Sequence, residues 1–377
     1  MSSGTTYYFR IKTNNINGTV TGTIQNFTTS ISLPTVNTTI VSAVSTNTAI
    51  LGGNTTATGG AAVTEKGIVW SLNTNPTILN TKIIMGSGTG NFSQKIIGLP
   101  QGSVIYARAY AINAGGIAYG DTIRFATQTM ITSFNTTATG KTNATSVGFI
   151  FKTAQNISGL TASNFSLQTN NLSGVSITGI TGSANSYTLT VTTGTGDGTL
   201  GISFSNDAGL SIPINNKTFT ATNYYTIDKT VPQINSVSIP DKTMKTGDTI
   251  PVNIFVNPET DIYKMVSGNI DGFALSGFNK KNDSTYTAWF LITNGGNDID
   301  AAADIPVMFF LIDSAGNSSQ FQVPIKQQSD RIDANKPFIL SVLNPPKGMY
   351  KAGDTLSFIF RFSEKIVVFQ VAHHLFH

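Results

Sequence analysis

Hydrophobic residues alternate with small polar residues along most of this chain. In the segment 186–192, Tyr187, Leu189 and Val191 alternate with serine and threonine, and the segment 250–256 has isoleucine or valine at every second position. A period of two places one set of side chains beneath a sheet and the other set in solvent. Pairs such as Asp-Gly and Gly-Gly mark turns between these runs. The pattern therefore predicts short antiparallel strands that pack as β-sandwiches.

Two internal repeats divide the chain. Residues 4–29 align without a gap with residues 102–127, and residues 227–232 recur as residues 332–337. Both copies of the first repeat keep the same glycine, tyrosine and arginine positions, and both copies of the second repeat end in proline. Repeats about 100 residues apart correspond to whole small domains rather than to the units of a solenoid.

Residues 34–127 contain short motifs that span the segment from end to end. The motifs are LGGN at 51–54, GGAAVTEKGIVWS at 59–71, NPT at 75–77, GSGTGNF at 86–92 and YARAYAIN at 106–113, followed by Gly116, Tyr119, Gly120 and Phe125. This series resembles the fibronectin type III-like repeats of large secreted bacterial surface proteins. The resemblance implies an antiparallel β-sandwich for this part of the chain.

Residues 129–231 and 232–336 carry shorter motifs. They are VGFIF at 147–151, SGLTASNF at 158–165, DAG at 207–209 and DSAGN at 313–317, with KTGDT at 245–249 and its copy KAGDT at 351–355. These motifs are similar to those of bacterial immunoglobulin-like repeats. The resemblance implies spacers or adhesive modules of exported proteins, although a fold alone does not give a function.

The repeats and resemblances together predict an all-β chain of tandem antiparallel sandwiches, arranged like beads on a string. Because the two ends match only parts of a domain, we expect the chain to come from a longer one. We also expect the end segments to fray or to lean on the neighbouring domain. The predicted segments are a C-terminal fragment of a fibronectin type III-like repeat at 1–31, a fibronectin type III-like domain at 32–128, bacterial immunoglobulin-like domains at 129–231 and 232–336, and an N-terminal fragment of a further immunoglobulin-like repeat at 337–377.

Composition limits the chemistry available to the chain. The 377 residues include no cysteine and only three histidines, His373, His374 and His377, all at the carboxyl end. Disulfides and thiolate chemistry are therefore excluded, and a serine nucleophile elsewhere in the chain would lack an imidazole base. The acidic residues show no grouping that suggests the paired carboxylates of glycoside hydrolysis. We therefore predict that the segment is not an enzyme and needs no organic cofactor.

Charge and hydropathy narrow the range of partners. Charged residues make up 11% of the chain, with a net charge of +4, against about 25% in an average soluble protein. Lys280 and Lys281 form the only clear basic doublet away from the termini, whereas nucleic-acid binding needs clustered basic residues. The longest apolar run, at 305–312, is shorter than the roughly 20 residues that span a bilayer. We predict no nucleic-acid partner and no membrane insertion in this segment.

A candidate contact surface lies in the segment 104–113. Tyr106, Arg108 and Tyr110 share one face of the predicted strand, and the alternate residues Ile105 and Ala107 face the core. Exposed aromatic rings beside a guanidinium can stack on a sugar or on a partner chain. In the alternative interpretation, these side chains brace the sheet surface and Arg108 lies across the rings.

Two sets of aspartates are candidate calcium ligands. Asp298, Asp300 and Asp304 lie close together in the sequence and could supply part of the six to eight oxygens that calcium requires. The alternative is a solvated hairpin loop. Asp228 and Asp333 lie at predicted domain junctions, just before a proline. Calcium-stiffened linkers use such carboxylates, but a single acidic residue at each junction supplies few of the oxygens that calcium requires.

These observations predict a non-catalytic structural and adhesive segment of a secreted or cell-surface bacterial protein. It would act as a spacer, as a surface for contact with extracellular protein or polysaccharide, and as a monomer within a longer chain. Two alternatives stay open. The segment could supply accessory spacer or carbohydrate-binding modules to an extracellular hydrolase, or it could be a calcium-stiffened adhesin. Binding to glycans tests the contact surface, and a response of thermal stability to a chelator tests the calcium hypothesis.

Overall fold

The computed structural model describes residues 1–258, 261–326 and 331–368. The regular structure of these residues is strand, apart from one 3-10 turn at Ala162–Asn164. The predicted all-β class is therefore confirmed. In the same residues no helix is long and apolar enough to cross a membrane. The three histidines and the final segment 371–377 lie outside the described residues.

The chain divides into two compact units. Unit 1 comprises residues 1–140 and 144–227, and unit 2 comprises residues 141–143 together with the described residues from 228 onward. Residues 141–143, which lie within the predicted segment 129–231, belong to unit 2. Lys141 forms ion pairs with two aspartates of unit 2, and the main-chain N–H of Asn143 donates to the carbonyl of Ala315 at 3.1 Å. The segment boundaries stay predictions.

Residues 35–126 of unit 1 form a sandwich of two antiparallel sheets. Its strands are β5 (Thr35–Thr38), β6 (Thr48–Ala57), β7 (Glu65–Ser71), β8 (Thr81–Ile84), β9 (Gly90–Ile97), β10 (Val104–Asn113), β11 (Gly116–Tyr119) and β12 (Ile123–Ala126), after four short N-terminal strands. One sheet has the order β5-β6-β9. The other has the order β11-β10-β7-β8, and β12 also pairs with β10. Ile105 and Ala107 of β10 face the core, as the alternation predicts.

Residues 131–227 of unit 1 form a second sandwich. Its strands are β13 (Ile131–Thr136), β15 (Ser146–Thr153), β16 (Phe165–Asn170), β17 (Ser176–Ser183), β18 (Ser186–Thr192), β19 (Gly198–Phe204) and β20 (Tyr225–Ile227), whereas β14 (Lys141–Thr142) belongs to unit 2. One sheet has the order β13-β15-β18-β17, and in the other β19 lies between β16 and β20. Leu189 and Val191 are buried, and Phe134 meets Phe151 edge-on with ring centroids 5.3 Å apart.

Unit 2 is built on one seven-stranded antiparallel sheet that folds around its own core. The strands are β21 (Ile234–Ser238), β22 (Met244–Lys245), β23 (Thr249–Val256), β24 (Lys264–Ile270), β25 (Phe273–Asn282), β26 (Thr285–Leu291), β27 (Val307–Ile312), β28 (Ser318–Phe321) and β29 (Ile332–Asp333). The sheet order is β21-β23-β26-β25-β24-β27-β28, and β22 pairs separately with β29 in parallel. Ile254 of β23 and Phe309 of β27 belong to one buried cluster, so the sheet forms two layers.

Within the part of the chain that the structure describes, the two end segments contain only short antiparallel strand pairs. Their strands are β1 (Thr6–Phe9), β2 (Lys12–Asn15), β3 (Gly18–Thr21) and β4 (Gln25–Thr28) at the start, and β30 (Ile339–Leu343) and β31 (Ile359–Phe362) near the end. β1 pairs with β4, β2 with β3, and β30 with β31. Large hydrophobic side chains such as Tyr8 and Leu340 are exposed on these pairs. The fraying expected for both segments stays a prediction.

Candidate metal centre

Three buried aspartates of unit 2 come together although they are far apart in the sequence. One carboxylate oxygen each from Asp228, Asp261 and Asp313 lies within 4.8 Å of the corresponding oxygens of the other two. The three residues are only 6–8% exposed. Carboxylates are rarely buried unless they are paired or bind a cation. This group is therefore the strongest candidate for a functional site in the described residues.

The ends of strands position the three aspartates. Asp313 directly follows β27 and begins the turn that leads into β28. Its Oδ1 accepts hydrogen bonds from the main-chain N–H groups of Ala315, at 2.9 Å, and of Asn317, at 2.8 Å. Gly316 supplies the positive φ of 96° that the turn requires. The turn thereby fixes the Asp313 side chain at the edge of the core.

Asp261 and Asp228 are also held through one carboxylate oxygen. Asp261 Oδ1 accepts hydrogen bonds from the Ser314 hydroxyl at 2.6 Å and from the main-chain N–H of Ile262 at 2.8 Å. Asp228 Oδ1 accepts one from the main-chain N–H of Thr230 at 3.1 Å. These short local contacts orient each carboxylate and leave its second oxygen for other partners.

Asn317 connects two of the aspartates. Its side-chain amide donates to Asp313 Oδ2 and to the main-chain carbonyl of Asp228, both at 2.9 Å. The residue is buried, so both hydrogen bonds are shielded from water and contribute to holding the segment at 228 against the turn at 313–317. The site is therefore a preformed part of unit 2.

Lys141 is the cation next to this group. Its Nζ lies 3.4 Å from Asp228 Oδ2 and 3.7 Å from Asp261 Oδ2. Both distances exceed the roughly 2.7–2.9 Å of a strong charge-assisted hydrogen bond. Asp261 Oδ2 is buried and has no hydrogen-bond partner. One ammonium group is thus shared between two carboxylates, with a long hydrogen bond to Asp228 and a longer ion pair to Asp261.

The protonation of Asp261 reflects competing effects. Burial raises the pKa of this carboxyl, but hydrogen bonds from Ser314 and Ile262 and the charge of Lys141 lower it. The lowering effects prevail, so the pKa of Asp261 lies below its ordinary value of 3.8. Asp261 is therefore ionised at neutral pH, and its unbonded oxygen carries negative charge inside the protein.

The donor set indicates the kind of cation that the site could hold. Oxygen ligands, and carboxylates in particular, suit hard cations such as calcium and magnesium. Zinc and copper sites are usually built with histidine or cysteine, and the described residues of this chain include neither. The three aspartates therefore point to an alkaline-earth ion rather than to a transition metal.

The aspartates proposed from the sequence as calcium ligands are engaged elsewhere. Asp298 Oδ1 accepts hydrogen bonds from the main-chain N–H of Ala334 at 2.7 Å and from the Asn335 amide at 3.0 Å. Asp304 forms an ion pair with Lys326. Among the described residues, these two aspartates and Asp300 are not part of any group of three possible ligands within 4.8 Å. Calcium binding by Asp298, Asp300 and Asp304 stays an untested prediction, and the structure does not bring the three carboxylates together.

Of the two junction aspartates, the structure brings only Asp228 into the cluster. Asp333 instead lies 3.5 Å from the guanidinium of Arg331. Asp261 and Asp313 were not predicted as ligands. The available signal for Asp313 was its place in the DSAGN motif, which served only as a mark of resemblance. Asp261 belongs to no motif, so only the folded structure reveals its role.

The candidate contact surface on β10 is less exposed than the sequence predicted. Tyr106 and Arg108 are half-buried, but Tyr110 is fully buried, so the expected exposure of Tyr110 is wrong. Its hydroxyl donates to Glu65 at 2.7 Å. Burial is the main cause that raises the pKa of Tyr110, and the hydrogen bond to Glu65 raises it further. Arg108 lies 3.9 Å from the ring centroid of Tyr119. Ligand contact by these residues stays untested.

Comparisons with known proteins concern the architecture. No family model and no curated protein matches this chain. Among solved structures, the chain is similar to FdeC, an Escherichia coli adhesin, with 13% identity and a TM-score of 0.37 over 79% of this chain and 97% of that one. An I-band fragment of titin has 10% identity and a TM-score of 0.38 over 81% and 100%. The Hoc outer capsid protein of bacteriophage RB49 has 10% identity and a TM-score of 0.28 over 81% and 99%.

The sheets define the class of this protein, which is an all-β protein of successive antiparallel β-sandwiches. The predicted class of antiparallel β-sandwiches is therefore confirmed at the level of the fold. At such low identity and TM-score, the likeness to solved structures supports no conclusion about an activity or a ligand.

Proposed function

We propose that this chain is a non-catalytic structural and adhesive segment of a secreted or cell-surface bacterial protein. Its sandwiches would act as spacers and would present their outer faces to extracellular protein or polysaccharide. The proposal rests chiefly on the chemistry of those faces, which are rich in hydroxyl groups and poor in charge. Fold alone does not support it, because sandwiches of this kind carry many unrelated functions.

The ribbon formed by β17 and β18 illustrates these outer faces. Leu189 and Val191 of β18 are buried, whereas the alternate threonines are partly exposed. Thr181 lies opposite Thr188, and Ser176 lies opposite Thr192 with their hydroxyl oxygens 3.0 Å apart. A surface of this kind offers hydrogen-bond donors and acceptors without a strong field, which suits weak contacts with uncharged polymers.

The β10 surface is the most specific contact candidate. Arg108 is positioned by a hydrogen bond from its Nε to the carbonyl of Pro76 and by the ring of Tyr119. Tyr106 lies two residues away on the same face and is half-buried. Aromatic and guanidinium planes held in place in this way can stack on a sugar at little entropic cost. Tyr110 is buried and can take part only by supporting the sheet.

The adhesive role is tested with the full chain on arrays of bacterial and host glycans and on immobilised extracellular-matrix proteins. We expect binding that Tyr106→Ala weakens by about tenfold, in line with the loss of one aromatic anchor. Tyr224→Ala is the matched control, because Tyr224 is 67% exposed and lies away from β10 in the sequence. Absence of binding to every surface, or equal binding by both variants, would contradict a contact role for β10.

The location is tested separately in cells that make the protein. We expect an antibody against the chain to label intact cells or the culture medium, and we expect external protease to remove the cell-bound signal. A signal that appears only after the cells are permeabilised would contradict export. This experiment does not depend on the identity of the ligand.

A further inference from the structure

We propose that unit 2 binds one calcium ion through Asp228, Asp261 and Asp313. The ion would join three segments that are distant in the sequence, namely the chain before β21, the chain before β24 and the turn after β27. This inference does not depend on the adhesive role, because it rests only on the chemistry inside unit 2.

One oxygen of Asp261 is buried without a hydrogen bond and has only the Lys141 ammonium group, at 3.7 Å, as an ionic neighbour, and this observation points to a ligand. Asp261 is 8% exposed, and its Oδ2 is buried without a hydrogen bond. Its Oδ1, by contrast, accepts two short hydrogen bonds that orient the group. A buried carboxylate oxygen without a hydrogen bond is costly. A cation bound at this oxygen would remove that cost.

The charge balance supports a divalent ion. The three carboxylates and the ammonium group of Lys141 carry a formal charge of −2 together. Two further lysines bind main-chain oxygens in this region, with Lys280 Nζ at 3.0 Å from the carbonyl of Asp261 and Lys229 donating to that of Asn143. A divalent cation would neutralise the remaining charge.

Calcium fits the site better than magnesium. Calcium accepts six to eight oxygens in flexible geometry, including carboxylates and water. Magnesium requires nearly ideal octahedral geometry and keeps much of its water. The three aspartates are fixed by their own hydrogen bonds, so they cannot rearrange freely around a small ion. Water would complete the coordination on the side that the protein leaves open.

The expected affinity is modest. Three carboxylates with one neighbouring ammonium group give a weaker site than four or five acidic ligands. Calcium sites of extracellular modules bind at about 0.1–1 mM, and we expect this site to lie in that range. Such a site would be filled outside a cell and largely free of calcium in a chelating buffer.

The test uses the full chain, stripped of metal with a chelator and then melted with increasing calcium chloride or magnesium chloride. We expect calcium at about ten times the dissociation constant to raise the melting temperature of unit 2 by about 5 °C. Magnesium should need at least about tenfold higher concentration for the same rise. No rise with calcium up to about 10 mM, or equal effects of the two ions, would overturn the proposal.

Two substitutions that each remove one carboxylate form a matched pair. Asp261→Asn should lower the calcium affinity by at least about tenfold without lowering the melting temperature in the chelator. Asp304→Asn removes an exposed carboxylate paired with Lys326 and should leave the calcium response unchanged. An equal calcium response of Asp261→Asn and the unaltered chain would overturn the proposal. Asp228→Asn serves the same purpose if Asp261→Asn does not fold.

Lys141→Gln separates a metal site from an ion-pair cluster. If Lys141 alone compensates the carboxylates, its loss should destabilise unit 2 equally with and without calcium. If the cluster binds calcium, the formal charge of the site becomes −3. The variant should then show a larger calcium-dependent rise in melting temperature than the unaltered chain. A smaller rise or none would overturn the proposal.

Discussion

The turn at 207–209 in unit 1 and the turn at 313–317 in unit 2 share an aspartate followed closely by Ala-Gly. In unit 1, Asp207 pairs with Lys217 at 2.9 Å and accepts the main-chain N–H of Ile214 at 3.1 Å. In unit 2, Asp313 is hydrogen-bonded by its own turn and lies beside Asp228 and Asp261. The aspartate of the same motif therefore forms an ion pair with a lysine in unit 1, whereas in unit 2 it belongs to a cluster of carboxylates.

The difference extends to other acidic groups of the two units. Glu65 in unit 1 accepts the Tyr110 hydroxyl and pairs with Lys82 at 3.0 Å. In unit 2, both Asp261 and Asp271 have a buried oxygen without a hydrogen-bond partner. Unit 1 thus gives these acidic groups hydrogen bonds and ion pairs from neighbouring side chains, whereas one buried oxygen of each of these two aspartates of unit 2 has no hydrogen bond.

The largest expected effect comes from removing the aspartate of each turn. Asp313→Ala should destabilise unit 2 by about 3 kcal/mol, because buried donors lose their acceptors. Asp207→Ala should cost unit 1 about 1 kcal/mol, because its lysine partner is half exposed. Urea unfolding of both variants in the chelating buffer measures the difference. Equal losses would mean that the two turns are equivalent.

Tyr110→Phe tests the compensation seen in unit 1. The substitution removes the buried hydroxyl that donates to Glu65 and should cost about 1 kcal/mol of unfolding free energy. It should also raise the pKa of Glu65, because the hydrogen bond from Tyr110 is the main influence that lowers it. Tyr224→Phe, at an exposed residue, is the control. A loss no greater than that of the control would show that the pair adds nothing to stability.

Substitution of Asp271 should have the smallest effect on the unfolding free energy, and it should stabilise the protein rather than destabilise it. Burial raises the pKa of Asp271, and Asp298 adds to the rise against an opposing hydrogen bond from Asn297. Its contribution to stability is therefore complete below the ordinary pKa of 3.8 and is lost as pH rises through the raised pKa of the folded state. Asp271→Asn should stabilise unit 2 at neutral pH by up to about 1 kcal/mol. Unfolding free energies measured across this pH range test the prediction, and a loss at neutral pH would contradict it.

Asp207 provides the matched pH comparison. Burial raises the pKa of Asp207, but the hydrogen bond and charge of Lys217 together with main-chain hydrogen bonds, including that from Ile214, outweigh burial, so the pKa lies below 3.8. Its contribution to stability is present above pH 3.8 and is lost as pH falls through the lowered value. Asp207→Asn should therefore reduce the acid sensitivity of unit 1, whereas Asp271→Asn should reduce the loss of stability at higher pH. If the unfolding free energies of the two variants changed with pH in the same way, the contrast between the units would be contradicted.

The sequence predicted those features that depend on the local alternation of apolar and polar residues. Ile105 and Ala107 face the core because alternation in a strand decides the side on which a residue lies. The same rule placed Tyr110 on the outer face, but it could not show that Glu65 and neighbouring strands would cover that position. Exposure depends on what packs over a strand, and that packing is not a local property.

The candidate metal site shows the same limit more clearly. Asp228 was noted because it precedes a proline, and Asp313 belongs to a recognisable turn motif. Asp261 has no such mark, and it reaches the site because the sheet brings the start of β24 beside the end of β27. Sequence proximity favoured Asp298 and Asp304 instead, yet their partners are Ala334 and Lys326. Ligands gathered from distant segments become visible only after folding.

Calorimetric titration of the metal-free full chain with calcium chloride tests the central claim most directly. We predict saturable binding of about one ion for each chain, with a dissociation constant near 0.1–1 mM, and loss of this binding in Asp261→Asn. Titration without saturable heat, or a binding curve that Asp261→Asn leaves unchanged, would contradict a cation site at the three buried aspartates.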